Sequence, residues 1–140
     1  GRYRDETRRI VPLSDLCIVA CEFATLYSGE EDPERAGPAL LEAGPTIVGV
    51  TDGVHGSWVF SRDGTRFHQR AFPVEVVDTT GCGDCYHGAF VSGLSRGLDL
   101  QSTAALASAA AALNACRLGG REGLPTLPEV QAFLAQQTVG

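Results

Sequence analysis

An aspartate that follows a glycine-rich loop is the feature of this sequence best suited to chemistry. The segment 78–84 reads Asp-Thr-Thr-Gly-Cys-Gly-Asp and is followed by a predicted helix. Glycines permit positive φ angles and close approach of the backbone to a ligand, and the start of a helix leaves unpaired N–H groups. We therefore predict that the amides around Gly81, Cys82 and Gly83 form a hole for an anion such as phosphate.

Asp84 has two interpretations at the beginning of this predicted helix. It is either an N-cap, a common role for aspartate at that place, or a base that takes a proton from an attacking hydroxyl beside the anion hole. The spacing of Gly81, Gly83 and Gly88 does not match the dinucleotide fingerprint. No Gly-Lys-Ser/Thr follows either, so the loop is not a Walker A loop.

A Cys-x-x-Cys motif, formed by Cys82 and Cys85, lies in the same segment. Together with His87 and Cys116 it allows a zinc site, and a thiol at a helix start allows redox chemistry. The simpler interpretation is a pair of small residues in a tight loop and helix, because the chain has no second Cys-x-x-Cys. Five cysteines at irregular spacing are typical of reduced thiols rather than of a disulfide framework.

The elements that would position this loop alternate between apolar strands and helices. The predicted buried strands cover residues 16–21 and 46–51, a further short strand is predicted at 73–77, and a predicted hairpin covers 57–69. The predicted helices cover residues 30–43, 84–96, 99–116 and 128–137, with Thr126 as the cap of the last. This order predicts an α/β fold, a three-layer sandwich around a largely parallel sheet. Ligands of such sheets bind at the carboxyl ends of the strands.

Length and charge exclude several other classes of protein. A chain of 140 residues has room for one domain with a core. Its 11 Lys and Arg against 17 Asp and Glu give a net charge of −6, which argues against nucleic-acid binding and against docking on an anionic membrane. No stretch approaches about eighteen apolar residues, so we predict no transmembrane helix. The odd number and irregular spacing of the cysteines lead us to expect a cytoplasmic protein. Because the chain lacks an initial Met, we expect it to be trimmed or a piece of a longer protein.

The segment 78–84 resembles the second signature of the ribokinase-like (PfkB) carbohydrate kinases. The usual form of that signature is Asp-Thr-x-Gly-Ala-Gly-Asp, from which only Cys82 departs. The resemblance implies that Asp84 is the catalytic base and that the amides of Gly81, Cys82 and Gly83 bind the phosphoryl group in transfer. It further implies a kinase that uses ATP and Mg²⁺ to phosphorylate a hydroxyl of a sugar or sugar-like substrate.

Two other segments resemble parts of the same family. Residues 51–56 resemble its Thr-x-Gly-x-x-Gly nucleotide loop, although alone they would be an ordinary glycine turn. The segment 114–125 resembles the final loop after the family's Ala-rich helix. The resemblance implies that ATP is contacted by Thr51, Gly53, Gly56, Ser108 and Ala112. It also implies a monovalent cation such as K⁺, held mostly by backbone carbonyls at Asp78, Thr80, Asn114, Arg117 and Gly119.

The resemblance covers only the C-terminal half of such a kinase, truncated at its N-terminal side. Residues 1–140 are thus expected to be the nucleotide-binding half of one kinase domain. The Gly-Gly sugar motifs and the lid belong to the other half. Because the lid often sets the oligomeric state in this family, the resemblance allows a homodimer but does not decide between it and other states. The family's Asn-x-x-Glu, which organises water around magnesium, is lost here, and Glu22 is out of register. We expect the isolated chain to be inactive as a kinase. The alternative is a non-catalytic nucleotide-binding or interaction fragment.

Overall fold

The computed structural model describes residues 5–137, and the chain divides into two compact units. The first unit ends at His68 and the second begins at Gln69. Each has a hydrophobic core of its own. Among the described residues, no helix combines the length and the apolar character that crossing a bilayer requires.

The first unit is built on four strands with helices before and between them. Its strands are β1 (Leu16–Ala20), β2 (Ile47–Thr51), β3 (Ser57–Ser61) and β4 (Arg66–Gln69). Its helices are α1 (Asp5–Ile10), α2 (Cys21–Ser28) and α3 (Pro33–Glu42), with 3-10 turns at Val11–Leu13 and Gly53–His55. The strands lie side by side in the order β1-β2-β3-β4.

The sheet is mixed where a largely parallel one is predicted. β1 and β2 run parallel, but β2 and β3 are antiparallel. The five residues 52–56 that join β2 to β3 are too few for a parallel crossover, which needs a dozen or more. The predicted α/β class is confirmed, since α2 and α3 form the crossover between the two parallel strands.

Strands β1 and β2 differ in how deeply they are buried. Val48, Gly49 and Val50 of β2 are buried, as predicted for a strand inside a sheet, whereas only Cys17 of β1 is buried. The predicted two-sided burial of residues 16–21 is therefore wrong. β1 lies at one edge of the described sheet, where fewer neighbours cover it.

Helix α3 closes the core of the first unit over the sheet. Asp32 caps it by accepting the amide of Glu34 at 2.9 Å, and Pro33 occupies the first helical position, where a missing N–H does no harm. Gly37 lies against the ring of Phe60, and a Cβ there would collide with it. Leu40 is fully buried in the same core. The predicted helix at 30–43 is confirmed with a slightly later start.

The second unit consists of three helices and the loops between them. They are α4 (Cys82–Ser95), α5 (Leu100–Ala115) and α6 (Leu127–Gln137), which confirm the three predicted helices within two residues at each end. Asp99 caps α5 by accepting the amide of Ser102 at 2.8 Å. Thr126 and Glu129 bond reciprocally at the start of α6, so the predicted cap is confirmed.

The predicted strand at 73–77 is wrong. This segment has no strand partner among the described residues, and Pro73 lacks a backbone donor. The amides of Val77 and Asp78 instead donate to the carbonyl of Ala115, at 2.8 and 3.1 Å. The apolar segment is thus tied to the end of α5, where its side chains Val76 and Val77 stay exposed.

Candidate functional site

The carboxylate of Asp78 fastens the glycine-rich loop to the loop after α5. Its Oδ1 accepts the amide of Thr80 and its Oδ2 accepts the amide of Gly119, both at 2.9 Å. These bonds, first that of Thr80 and then that of Gly119, hold the pKa of Asp78 below its ordinary value because they stabilise the charged form. Asp78 therefore acts as an ionised clamp between two segments that are far apart in sequence.

Gly81 makes the sharp turn into α4. Its φ is +75°, in the region that favours glycine, and it occupies the N-cap position. A Cβ on Gly81 would lie 3.0 Å from both Cα and O of Gly120. The two loops thus pack backbone against backbone, which only glycine at this position allows.

Several backbone donors remain at the start of α4. The amide of Cys82 donates to the carbonyl of Thr79 at 3.2 Å, and that of Cys85 donates to the carbonyl of Gly81 at 2.8 Å. The amides of Gly81, Gly83 and Asp84 have no backbone acceptor among the described residues. Helix N-termini attract anions through such groups, so this turn has the donors that a phosphate needs.

Asp84 is the third residue of α4 rather than its N-cap, so the capping interpretation is wrong. Its carboxylate is exposed and has no hydrogen-bond or ion-pair partner among the described residues. It stands in the same turn as the unpaired amides of Gly81 and Gly83. A carboxylate in this arrangement is free to take a proton from a bound hydroxyl.

A cavity of about 510 Å³ opens beside this turn. Its polar lining includes Asp84, Ser92 and Arg121, and its apolar lining includes Leu106 and Val130. Sequence reasoning missed Ser92 and Gly88 as lining residues. The spacing of four residues from Asp84 to Gly88 to Ser92 places all three on one face of a helix and is the signal that points to them.

Asn114 joins the end of α5 to the glycine-rich loop. This residue is fully buried, and its Nδ2 donates to the carbonyl of Thr80 at 3.1 Å and to Sγ of Cys82 at 3.4 Å. Its Oδ1 is buried without a hydrogen-bond partner. A Cβ on Gly123 would lie 2.7 Å from that oxygen, so glycine keeps the space beside it open.

The residues predicted to hold a monovalent cation are partly brought together. Hydrogen bonds connect Asp78, Thr80, Asn114 and Gly119 in one network. The guanidinium of Arg117 is elsewhere, paired with Glu129 of α6 at 3.2 Å. Only the backbone of Arg117 is available to such a site. The unpaired Oδ1 of Asn114 and the open space at Gly123 fit an oxygen-ligated cation.

The predicted contacts to ATP on α5 lie away from the cavity. Ser108 and Ala112 are buried, and neither lines the cavity, whereas Leu106 and Ala110 do. Ser108 Oγ donates to the carbonyl of Arg70 at 3.4 Å. Ser108 therefore faces the segment that leads into the glycine-rich loop.

The predicted nucleotide loop lies in the first unit and forms a closed turn. The amide of Asp52 donates to the carbonyl of Gly56 at 2.8 Å, and the φ angles of Gly53 and Gly56 are +49° and +96°. Thr51 Oγ1 donates to the carbonyl of Val19 at 3.3 Å. A Cβ on Gly53 would meet no atom within 4 Å, so the backbone there is open to a ligand.

Zinc binding by the cysteines, one of the predicted alternatives, has no cluster of ligands to support it in the described part of the chain. All five thiols are free, and no group of three or more His, Cys, Asp or Glu side chains in the described part of the chain is placed to hold a metal ion. Burial raises the pKa of Cys85 to about 11, with a smaller contribution from the charge of Cys82. Glu22, which is out of register with the family's magnesium motif, is exposed in the first turn of α2.

Comparison with known proteins identifies the family of the chain. Residues 2–127 match the model of the pfkB family carbohydrate kinases. The chain belongs to the pfkB family of carbohydrate kinases. The resemblance carried by segment 78–84 is thereby confirmed, and with it the ribokinase-like fold.

Curated pfkB relatives include sugar kinases of bacteria. The chain is 35% identical over 103 residues to a ribokinase of Bacillus subtilis, covering 74% of this chain and 35% of that protein. It is 32% identical over 106 residues to a 5-dehydro-2-deoxygluconokinase of Shouchella clausii, covering 76% of this chain and 32% of that protein. The chain thus spans about a third of the length of these relatives.

A solved structure of the pfkB fold matches the chain closely. A protein of E. coli provisionally named ribokinase II, in complex with ATP and Mg²⁺, aligns with a TM-score of 0.87 and 34% identity. The alignment covers 95% of this chain and 43% of that one. The roles of individual residues in this chain stay predictions.

Proposed function

We propose that the protein containing this chain transfers the γ-phosphoryl group of ATP to a hydroxyl of a sugar or sugar-like substrate. The observation that carries the proposal is the unpaired carboxylate of Asp84 in the same turn as the unpaired amides of Gly81 and Gly83. Base and anion hole are the two groups that phosphoryl transfer requires of a protein, and membership of a kinase family agrees with both.

The proposed mechanism uses these groups together. Asp84 accepts the proton of the acceptor hydroxyl while that oxygen attacks the γ-phosphorus, and ADP leaves. The amides of Gly81 and Gly83, with that of Cys82 after a small turn, stabilise the negative charge that develops on the transferring group. The Asp78 clamp holds these donors in place beforehand, so little reorganisation is needed during the reaction.

ATP and Mg²⁺ belong to the proposal because the E. coli relative was solved with both. Magnesium usually keeps several waters and binds substrate phosphates with one or two carboxylates. Asp84 is an exposed carboxylate in the same turn as the anion hole, so this carboxylate and the phosphates of ATP would supply such ligands. When bound, Mg²⁺ neutralises phosphate charge. The contacts proposed for ATP itself are Thr51, Gly53, Gly56, Ser108 and Ala112.

A monovalent cation such as K⁺ is proposed at the network around Asn114. Both oxygens of Asp78 already accept N–H groups, so the ligands would be the Oδ1 of Asn114 and backbone carbonyls of Asp78, Thr80, Arg117 and Gly119. The buried, unpaired Oδ1 supports this proposal, because such a group costs about 1–3 kcal/mol unless a partner satisfies it. The cation would stiffen the loop that carries the anion hole.

The wider setting of the proposal follows from the family. The partners are a sugar substrate and ATP, and a homodimer and a cytoplasmic location are further expectations. The chain is proposed as the nucleotide-binding half of one kinase domain, because it carries the predicted ATP contacts and anion hole and spans only part of its relatives' length.

The test is sugar-dependent release of ADP by the full-length protein. The panel of acceptors includes ribose and 5-dehydro-2-deoxygluconate, the substrates that the names of the relatives suggest. We expect turnover with at least one acceptor. Tight ATP binding with no turnover on any acceptor would instead favour the non-catalytic nucleotide-binding alternative.

A further inference from the structure

The first turn of α4 carries two cysteine side chains that the proposed phosphoryl transfer does not use. Cys82 is the first residue of the helix and Cys85 is the fourth. Residues three apart on a helix lie on the same face, with Cβ atoms about 5–6 Å from each other. A disulfide needs Cβ atoms about 3.5–4.5 Å apart. A local shift of roughly 1–2 Å would therefore join the two sulfur atoms.

The turn can make this shift because the amide of Cys82 is not part of the hydrogen-bond ladder of the helix. Its amide donates to the carbonyl of Thr79 at 3.2 Å, and the ladder begins only with the bond from Cys85 to Gly81. The next residue, Gly83, has no atom within 4 Å of the place where a Cβ would lie. Cys82 can therefore rotate toward Cys85 without opening α4.

The two thiols differ in exposure, as a two-step thiol–disulfide exchange requires: one thiol must be accessible to the oxidant and the other must be held nearby. Cys82 is partly exposed, and its sulfur accepts a hydrogen bond from Nδ2 of Asn114 at 3.4 Å. Cys85 is 7% exposed and packs with Leu106 and Val130. Cys82 is thus the accessible thiol and Cys85 the protected one.

We propose that Cys82 and Cys85 are a redox-modification site that closes to a reversible disulfide. The oxidant is a low-molecular-weight disulfide of the glutathione class. The Cys82 thiolate attacks one sulfur of this oxidant, forms a mixed disulfide and releases one small thiolate. The Cys85 thiol then gives its proton to solvent and attacks the sulfur of Cys82, releasing the second small thiolate. Two protein thiols are oxidised, and one small disulfide is reduced to two thiols.

The consequence for activity rests on the proposed function. When the sulfur of Cys82 turns toward Cys85, Asn114 loses the acceptor of one of its two hydrogen bonds. The backbone of Cys82 lies between Gly81 and Gly83, whose amides are the proposed anion hole. Closing the disulfide therefore displaces the donors for the transferring phosphoryl group, and we expect turnover to fall at least about tenfold and to return on reduction.

The experiment maps the disulfide in the full-length protein. The protein is equilibrated with glutathione disulfide, and its free thiols are then blocked with iodoacetamide. The masses of the tryptic peptides are measured by mass spectrometry. Cleavage after Arg70 and Arg96 releases one peptide that holds Cys82 and Cys85 and no other cysteine. We expect this peptide to carry no alkyl group and to lack two hydrogen atoms, whereas Cys116 stays alkylated.

Two variants sharpen the result. Cys85→Ala is expected to stop at a mixed disulfide on Cys82, because the second thiol is missing, and Cys116→Ser is expected to form the disulfide as before. Recovery of Cys82 and Cys85 as two thiols, or of Cys82 as a lasting mixed disulfide in the unsubstituted protein, would overturn the proposal.

Peptide mapping does not depend on kinase activity, so the two proposals can fail separately. A protein that forms the disulfide but phosphorylates no sugar when reduced contradicts the proposed function and leaves the modification site supported. A protein that forms the disulfide and keeps its full turnover contradicts the inferred effect on the anion hole.

Discussion

The carboxylate of Asp78 accepts the backbone amide of Gly119 at 2.9 Å, across 41 residues of sequence. The same side chain accepts the amide of Thr80. One ionised group thus holds together the glycine-rich loop and the loop after α5. Removal of the charge of Asp78 should therefore loosen both loops at once, because each loop donates one amide to this carboxylate.

This clamp predicts a stability that depends on pH. The pKa of Asp78 is lowered in the folded chain, so its contribution is present above the unfolded pKa of about 3.9 and is lost as the pH falls through the folded value. We expect Asp78→Asn to have a lower Tm than the unsubstituted protein at pH 7. The difference in Tm between the two proteins should shrink as the pH falls toward 2. Thermal melts across this range measure the difference. A gap in Tm that stays constant down to pH 2 would contradict the clamp.

The proposed base predicts a large kinetic effect with little change in binding. Asp84→Asn in the full-length protein should lower kcat by about two to four orders of magnitude, the range for loss of a general base. ATP affinity should change little, because the carboxylate is assigned to the acceptor hydroxyl. Asp15→Asn is the matched control, since Asp15 is also exposed but precedes β1 in the first unit. Nearly normal kcat for Asp84→Asn would remove the base assignment.

The two glycines of the loop are expected to respond differently to valine. Gly81→Val should reduce stability as well as turnover, because its φ is +75° and a Cβ would press on Gly120. Gly83→Val should leave Tm nearly unchanged, because the space beside Gly83 is open, yet abolish turnover by filling the room for phosphate. Gly97→Val, also at φ +75° but beyond the end of α4, controls for backbone strain alone. Unchanged kinetics for both loop variants would mean that this loop does not cradle phosphate.

Much of the helical structure could be predicted from the sequence because its ends carry caps. Thr126 makes the capping bond that the sequence predicts at the start of α6, and Asp32 and Asp99 make such bonds at the starts of α3 and α5. Helix α2 was not predictable in this way. Its N-cap is Ala20, which has no side-chain acceptor, so α2 follows β1 without a signal.

The errors near the candidate site have a common physical cause. The apolar residues 73–77 fit a strand, but a strand exists only where a partner is available, and here the amide of Val77 finds the carbonyl of Ala115 instead. Asp84 is a residue type that often caps helices, but Gly81, in a left-handed turn, is the N-cap, and the helix begins at Cys82, two residues before Asp84. Contacts made across the chain decide both cases, and local sequence does not contain them. The same applies to Asn114, whose buried Oδ1 only the fold reveals.

The cation proposal predicts a stabilisation specific to potassium. At a potassium concentration of about a hundred times the Kd of the site, binding would add about 2.7 kcal/mol to the free energy of unfolding. We therefore expect a higher Tm in potassium chloride than in choline chloride at equal ionic strength. Asn114→Leu should abolish that difference and should also lower Tm, because the carbonyl of Thr80 loses its donor. A potassium effect that survives in Asn114→Leu would place the cation elsewhere.

The edge strand of the first unit predicts the behaviour of residues 1–140 expressed alone. β1 is paired with β2 on one side only, and Cys17 is its one buried residue. An unpaired edge presents N–H and C=O groups that pair readily with another chain. We expect this chain alone to self-associate, to bind ATP weakly at most, and to phosphorylate no sugar. Light scattering and ADP release measure these properties.

A charge on the exposed edge tests the cause of this association. Ile18→Lys places a lysine on β1, a means by which natural sheets avoid edge pairing. Ile10→Lys, on the exposed face of α1, is the matched control because it makes the same change outside the sheet. We expect Ile18→Lys to shift the chain toward monomer and Ile10→Lys to leave the association unchanged. A stable monomer with sugar-dependent ADP release from the unsubstituted chain would mean that residues 1–140 suffice for the reaction.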